Sequence, residues 1–178
     1  MDSSSNKAER IEKRYRAQMA LGWTERSEAA RSMTEICLLA FRLNAALLSS
    51  GDTLVAPLGL TSARWQVLGA VALSAQPVSV PQIALRMGLT RQAVQRHVHH
   101  LRSEGFVSAE ENPYHARSPN YLLTESGRDL FARVDEHFAR WSEALAEELD
   151  DIPLDAVAKH MERMVHAVGR GPNHNNHG

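Results

Sequence analysis

The chain has a single cysteine, Cys37, in 178 residues. One thiol excludes an internal disulfide and every metal site built on Cys-x-x-Cys. Aromatic residues make up only 6%, so large stacking surfaces are few. No uninterrupted apolar run approaches the roughly 18 to 20 residues that span a bilayer, and residues 1–9 are polar and acid-containing, unlike a secretory signal. These features predict a cytoplasmic protein without a membrane partner. A Gly-rich phosphate loop, a nucleophile elbow and a metal-ligand cluster are missing too, which argues against an enzyme and against a bound cofactor or metal. With 43% hydrophobic and 23% charged residues, the composition is that of a globular protein, and the length suits one domain with an appended arm.

The most informative scarcity is local. From Thr53 to Ser103 there is no Asp or Glu, whereas Arg64, Arg86, Arg91, Arg96 and Arg102 fall inside that stretch. From Thr124 to Ala167 the balance reverses, with eleven acids against five bases. A net charge of −1 therefore conceals a basic block and an acidic one. A basic half facing a polyanion and an acidic half turned away fits nucleic acid better than a small acidic substrate.

Periodicity places this charge on elements. Residues 7–21 read as an exposed helix with Ile11, Tyr15 and Met19 on one side, part of an arm over residues 1–32. Ser32 and Glu35 have capping-box spacing, and Met33, Ile36, Ala40, Leu43 and Leu47 form an apolar stripe that Gly51-Asp52 should stop. Thr61 is a candidate cap for the next helix, with Trp65, Leu68, Ala72 and Leu73 as its buried face and Ala75-Gln-Pro77 as its end.

Ser79-Val-Pro81-Gln82 combines a Ser cap, proline in the first turn and Gln at the third position, which predicts a short helix. Gly88 supplies a turn and Thr90 caps the helix that follows, giving a helix-turn-helix pattern. On the second helix Val94, Val98 and Leu101 share the core face beside Ala93. Arg91, Gln92, Gln95, Arg96 and His99 point outward. Arg and Gln are the side chains that pair bidentately with guanine and adenine edges in a major groove, and an acid on that face would be repelled by the duplex. Ser79 and Thr90, at the two helix starts, are placed among the DNA-facing groups.

Phe106 to Ala109 and Pro119 to Leu123 read as strands joined by a turn over Asn112 to Ser118, a β-hairpin wing. Tyr114, His115 and Arg117 occupy its tip, where His115 and Arg117 are placed to enter a minor groove. Thr124 caps a long helix carrying Phe131, Val134, Phe138, Trp141 and Leu145. Pro153 opens a last helix with Leu154, Val157, Met161, Met164 and Val168 in steps of three and four. Apolar rows on the first and last helices predict a two-fold dimer. The polar tail, residues 169–178, reads as disordered.

The fold expected is therefore mainly α with a small β-hairpin wing: a winged helix-turn-helix lobe over residues 53–124 and a dimerisation region from helices in 33–52 and 125–168. This order resembles the MarR family of winged helix-turn-helix transcription regulators. The likeness rests on LGLTSARWQVLGAV (58–71), VPQIALRMGLTRQAVQRHVHHLRSEGFV (80–107) and NPYHARSPNYLLTESG (112–127). The resemblance implies a homodimer on a pseudo-palindromic duplex operator, with recognition helices in successive major grooves. It also implies repression relieved by a small aromatic or phenolic ligand or by an oxidant. His99 and His100 depart from the acid and base usual in the family's recognition helix.

Three further readings follow. Cys37 stands where the family's peroxide-sensing branch carries a reactive cysteine, but EICLLAF offers it no hydroxyl or cation, so a core thiol is expected. His97, His99 and His100 lack the third and fourth converging ligands that zinc requires. Trp23, Trp65, His137 and Trp141 are the candidate lining of a ligand cleft, against their plain role as core. The competing class is a dimeric interaction module that kept the fold and lost operator binding.

Overall fold

The computed structural model describes residue 10 and residues 24–113 and 118–170. The expected arm helix over 7–21, Trp23, the wing tip with Tyr114, His115 and Arg117, and the tail from residue 171 lie outside the described residues. The chain divides into two units, Met1–Leu48 and Ser49–Gly178.

Helix α1, Glu28–Val55, runs through the end of the first unit into the second. It starts earlier than Ser32, because Ser27 accepts from the Ala30 amide at 3.2 Å and so caps the first turn. Nor does Gly51-Asp52 end it. Gly51 is buried inside the helix because Ser62 comes so close that a Cβ would collide with its Oγ. Asp52 Oδ1 accepts from the Ser62 amide at 2.6 Å, tying α1 to the start of the next helix. With the 3-10 turn Ala56–Leu58, the segment is long and apolar enough to cross a membrane by length and composition, with a best-window mean hydropathy of 1.2. No uninterrupted apolar run marks it in the sequence, because Glu35 and Arg42 break the apolar residues.

In the second unit, α2 (Ser62–Ala72), α3 (Val80–Met87) and α4 (Arg91–Ser103) pack on one another, and α5 (Glu125–Glu148) covers α2. Helix α6 (Leu154–Gly169) follows, so Gly169 closes a helix and does not open the tail. The core is aliphatic: Val55, Val67, Leu68, Ile83, Val94, Val98, Leu101 and Val134 are fully buried. Burial of each such side chain contributes about 1.5–3 kcal/mol against exposure. On α2 the buried face is Val67, Leu68, Ala70 and Val71 with Trp65 half-buried, while Leu73, expected in the core, is 78% exposed because the helix has ended at Ala72.

The wing has one more strand than the sequence pattern showed. Strand β1, Val78–Ser79, pairs with β3, Asn120–Leu123, which pairs in turn with β2, Val107–Glu110. All pairings are antiparallel, with Val78 and Ala109 both opposite Tyr121. Two residues are too few to show alternation, so β1 left no periodic trace. Tyr121 is buried under the sheet and joins Val78 and Val107 in the core.

Candidate nucleic-acid interface

The helix-turn-helix is set by three local devices. At the start of α3 the Ser79 amide donates to Gln82 Oε1 at 2.8 Å, and the Ser79 hydroxyl bonds the same oxygen at 2.8 Å. Ser79 is only 8% exposed. Of the residues that the sequence placed toward DNA, it is a buried one, bonded at the helix start and paired in β1. Gly88 closes α3 at φ 62°, in the left-handed region that a side chain disfavours. Thr90 then accepts from the Ala93 amide at 3.1 Å and caps α4. Thr90→Ala removes that bond and should cost about 1 kcal/mol of stability. Urea unfolding of Thr90→Ala beside Thr90→Ser tests it, the serine variant keeping most of the loss from occurring.

On α4 the two faces separate as the spacing predicts. Val94, Val98 and Leu101 are at most 1% exposed, whereas Arg91, Gln92, Gln95, Arg96 and His99 are all exposed. These five residues, at steps of one, three, one and three, form a continuous outward row of three cations or potential cations and two amides. No acid lies among them. The helix C-terminus is closed by Phe106 N–H to Leu101 O at 2.9 Å.

His97 lies at the edge of that row, half-buried. Burial, and after it the positive charges of Arg96 and Arg64 and the neighbouring His100, hold its pKa below the ordinary 6.5. The unfolded chain thus binds the extra proton more readily than the folded one. Its contribution is fully present above about pH 6.5 and is lost as the pH falls below that value. His97→Gln should flatten the stability loss between about pH 7 and pH 5.5, as followed by denaturant midpoints; an unchanged pH profile would remove His97 as its source.

Arg64, counted in sequence as part of the basic block, is engaged elsewhere. Its Nη1 donates to His100 Nε2 at 2.6 Å and lies 3.6 Å from Glu104 Oε2, and Glu104 Oε1 is 3.4 Å from the same imidazole nitrogen. Sequence reasoning missed this group because Arg64 comes to His100 and Glu104 from 36 and 40 residues earlier in the chain.

Of the expected cleft residues, Trp65 packs edge-on against Phe138 (5.3 Å between ring centres, 61°), and Phe138 lies 5.6 Å from Trp141. Phe138, read only as part of a helical stripe, is the ring that joins the two tryptophans. His137 is half-buried beside it in the chain. Cys37 is exposed and is not the core thiol expected.

Comparison with known proteins agrees with this architecture. The MarR family profile matches residues 58–118, from the 3-10 turn before α2 into the wing. An uncharacterised protein of Mycobacterium tuberculosis (strain ATCC 25618 / H37Rv), Rv2011c, is 36% identical over 141 residues, covering 79% of this chain and 94% of that protein. Among solved structures, CouR from Rhodococcus jostii RHA1 bound to p-coumaroyl-CoA superposes with a TM-score of 0.61 at 26% identity, over 75% of this chain and 90% of that one. The repressor CouR bound to a 23-mer DNA duplex superposes with a TM-score of 0.64 at 24% identity, over 80% and 99%. With its helix-turn-helix, three-stranded wing and flanking helices, this chain belongs to the MarR family of winged-helix, DNA-binding transcription regulators.

Proposed function

We propose that the protein is a homodimeric repressor that reads a pseudo-palindromic duplex operator and leaves it when a small aromatic ligand binds. The observation that carries the reading of sequence is the outward row Arg91, Gln92, Gln95, Arg96 and His99 above a fully buried Val94, Val98 and Leu101. Long polar side chains on a rigidly packed helix are what base-edge recognition in a major groove requires. Thr90, at the helix start, adds a hydroxyl for the backbone phosphates, and His115 and Arg117, which the sequence puts between the two wing strands, are the residues proposed for an adjacent minor groove.

Dimerisation rests on uncovered apolar rows. Met33, Ile36, Leu43 and Leu47 on α1, and Leu154, Val157, Met161 and Val168 on α6, are each more than a third exposed. Such rows are uncommon on a monomer's surface. A two-fold dimer covers both and sets two recognition helices one turn of duplex apart, about 34 Å. Release by an aromatic compound is supported by the Trp65–Phe138–Trp141 cluster with His137 beside it, and by the aromatic acyl thioester bound by CouR.

The test is a selection of duplexes from a random library by the purified protein, followed by anisotropy titrations of the enriched duplex and a scrambled control at several salt concentrations. A palindromic consensus, bound in preference to the control with a steep salt dependence, supports the reading. Failure to enrich any sequence would instead favour an interaction module. Quenching of tryptophan fluorescence by p-coumaroyl-CoA or simple phenolic acids, with loss of the bound duplex, tests the ligand; repression itself is read with a reporter behind the selected site.

A further inference from the structure

Arg64 presents an unexpected geometry for a basic residue in a DNA-binding lobe. Its side chain is only 20% exposed, and two of its three guanidinium nitrogens are turned to the protein: Nε reaches Thr61 Oγ1 at 3.4 Å and Nη1 reaches His100 Nε2 at 2.6 Å, with Glu104 Oε2 at 3.6 Å. Thr61 caps α2, while His100 and Glu104 stand on the last turn and C-cap of α4. One guanidinium therefore links the N-terminus of α2 to the C-terminus of the recognition helix.

Glu104 makes the arrangement informative. It is the first acid after Asp52, and it sits at a helix C-terminus, where the carbonyl ends already carry partial negative charge. An acid there is disfavoured by the helix and by a nearby duplex, unless a cation is fixed against it. Arg64 is that cation. The apolar row Val94, Val98 and Leu101 anchors α4 along one face. A directional polar bracket at its C-terminal flank adds a second point of orientation, away from that face.

We propose that Arg64 is a positioning residue: by bracketing His100 and Glu104 it sets the angle at which the Arg91 to His99 row meets the base edges, and it is not itself a phosphate contact. The inference rests on the DNA-reading role above. The two functions of a basic residue have different signatures. Loss of a phosphate contact weakens all sequences alike and lowers the salt slope by about 1, whereas loss of alignment weakens the preferred sequence and leaves the slope intact.

The experiment uses the full chain and the duplex that the wild-type protein enriches from a random library, with a scrambled duplex as control. Arg64→Gln and Glu104→Gln are each expected to lower affinity for the enriched duplex about ten-fold, the effect of one spoiled base contact. In both variants the scrambled duplex should lose far less affinity than the enriched one, and in Arg64→Gln the salt slope should stay unchanged. The exchanged pair, Arg64→Glu with Glu104→Arg, should recover part of the preference. Equal weakening of both duplexes by Arg64→Gln, with a slope reduced by about 1, would make Arg64 a phosphate contact and overturn the proposal. So would an unchanged preference for the enriched over the scrambled duplex in Glu104→Gln, which keeps the test open if Arg64→Gln does not fold. Should the wild-type protein enrich no duplex, the DNA-reading role itself fails, a result separate from either variant outcome.

Discussion

Arg96→Ala is expected to lower affinity for the enriched duplex by about 1–3 kcal/mol, roughly ten- to a hundred-fold, with little change for scrambled DNA. Arg96 stands in the exposed row one helical turn beyond Gln92, on the side of the helix opposite the fully buried pair Val94 and Val98. Its backbone therefore moves little, and its guanidinium can present two parallel donors to a guanine edge. The titration should be made well above the histidine range, because Arg96 also helps to keep His97 neutral. At lower pH its removal would let a new imidazolium form beside the lost arginine and partly mask the effect. If the loss is the same on scrambled DNA, Arg96 neutralises phosphate and base reading falls to Arg91, Gln92 and Gln95.

The second large effect is structural. Gly127→Ala is expected to destabilise the fold by about 3 kcal/mol, lowering Tm by roughly 6–12 °C for a chain of this size. Gly127 is buried in the first turn of α5, and a Cβ there would collide with the Phe106 carbonyl oxygen. Backbone cannot rotate aside as a side chain can. The junction is also fully bonded: the Thr124 amide donates to Phe106 O at 3.1 Å, the Thr124 hydroxyl to Gly105 O at 2.6 Å, and the Ser126 hydroxyl to Gly105 O at 2.9 Å. Relief of the collision would break these bonds. Gly88→Ala is the comparison, since nothing lies near its added Cβ and only the left-handed backbone is strained; its cost should be about 1 kcal/mol. Equal, small losses in the two variants would show that the α4–α5 junction yields easily.

Local chemistry was legible wherever one residue satisfies a backbone group a few positions away. Thr61, Ser79, Thr90 and Thr124 all stand at helix starts, and Gly88 takes the left-handed turn. The core face of α4 followed from period alone. Legibility failed where a distant partner decides. Gly51 reads as a helix stop, yet its reason is the approach of Ser62 from the next helix. Leu73 continues a stripe in sequence but falls past the end of its helix. Strand β1 exists because β3 offers it an edge, and the pairing of Glu104 with Arg64, forty residues earlier in the chain, leaves no local pattern. Cys37 was expected in a core that the described chain does not build around it.

The short strand β1 has a mechanical consequence. Ser79 is at once its last residue and the cap of α3, and its partner β3 is the returning arm of the wing. The wing is thereby stapled to the reading head through the sheet at one end, while Gly105 and Phe106 tie its other arm to the foot of α5. Held at both roots, it cannot swing as a separate flap. A torque applied through α5 would therefore turn head and wing together, as the jaw of a calliper turns on its pivot.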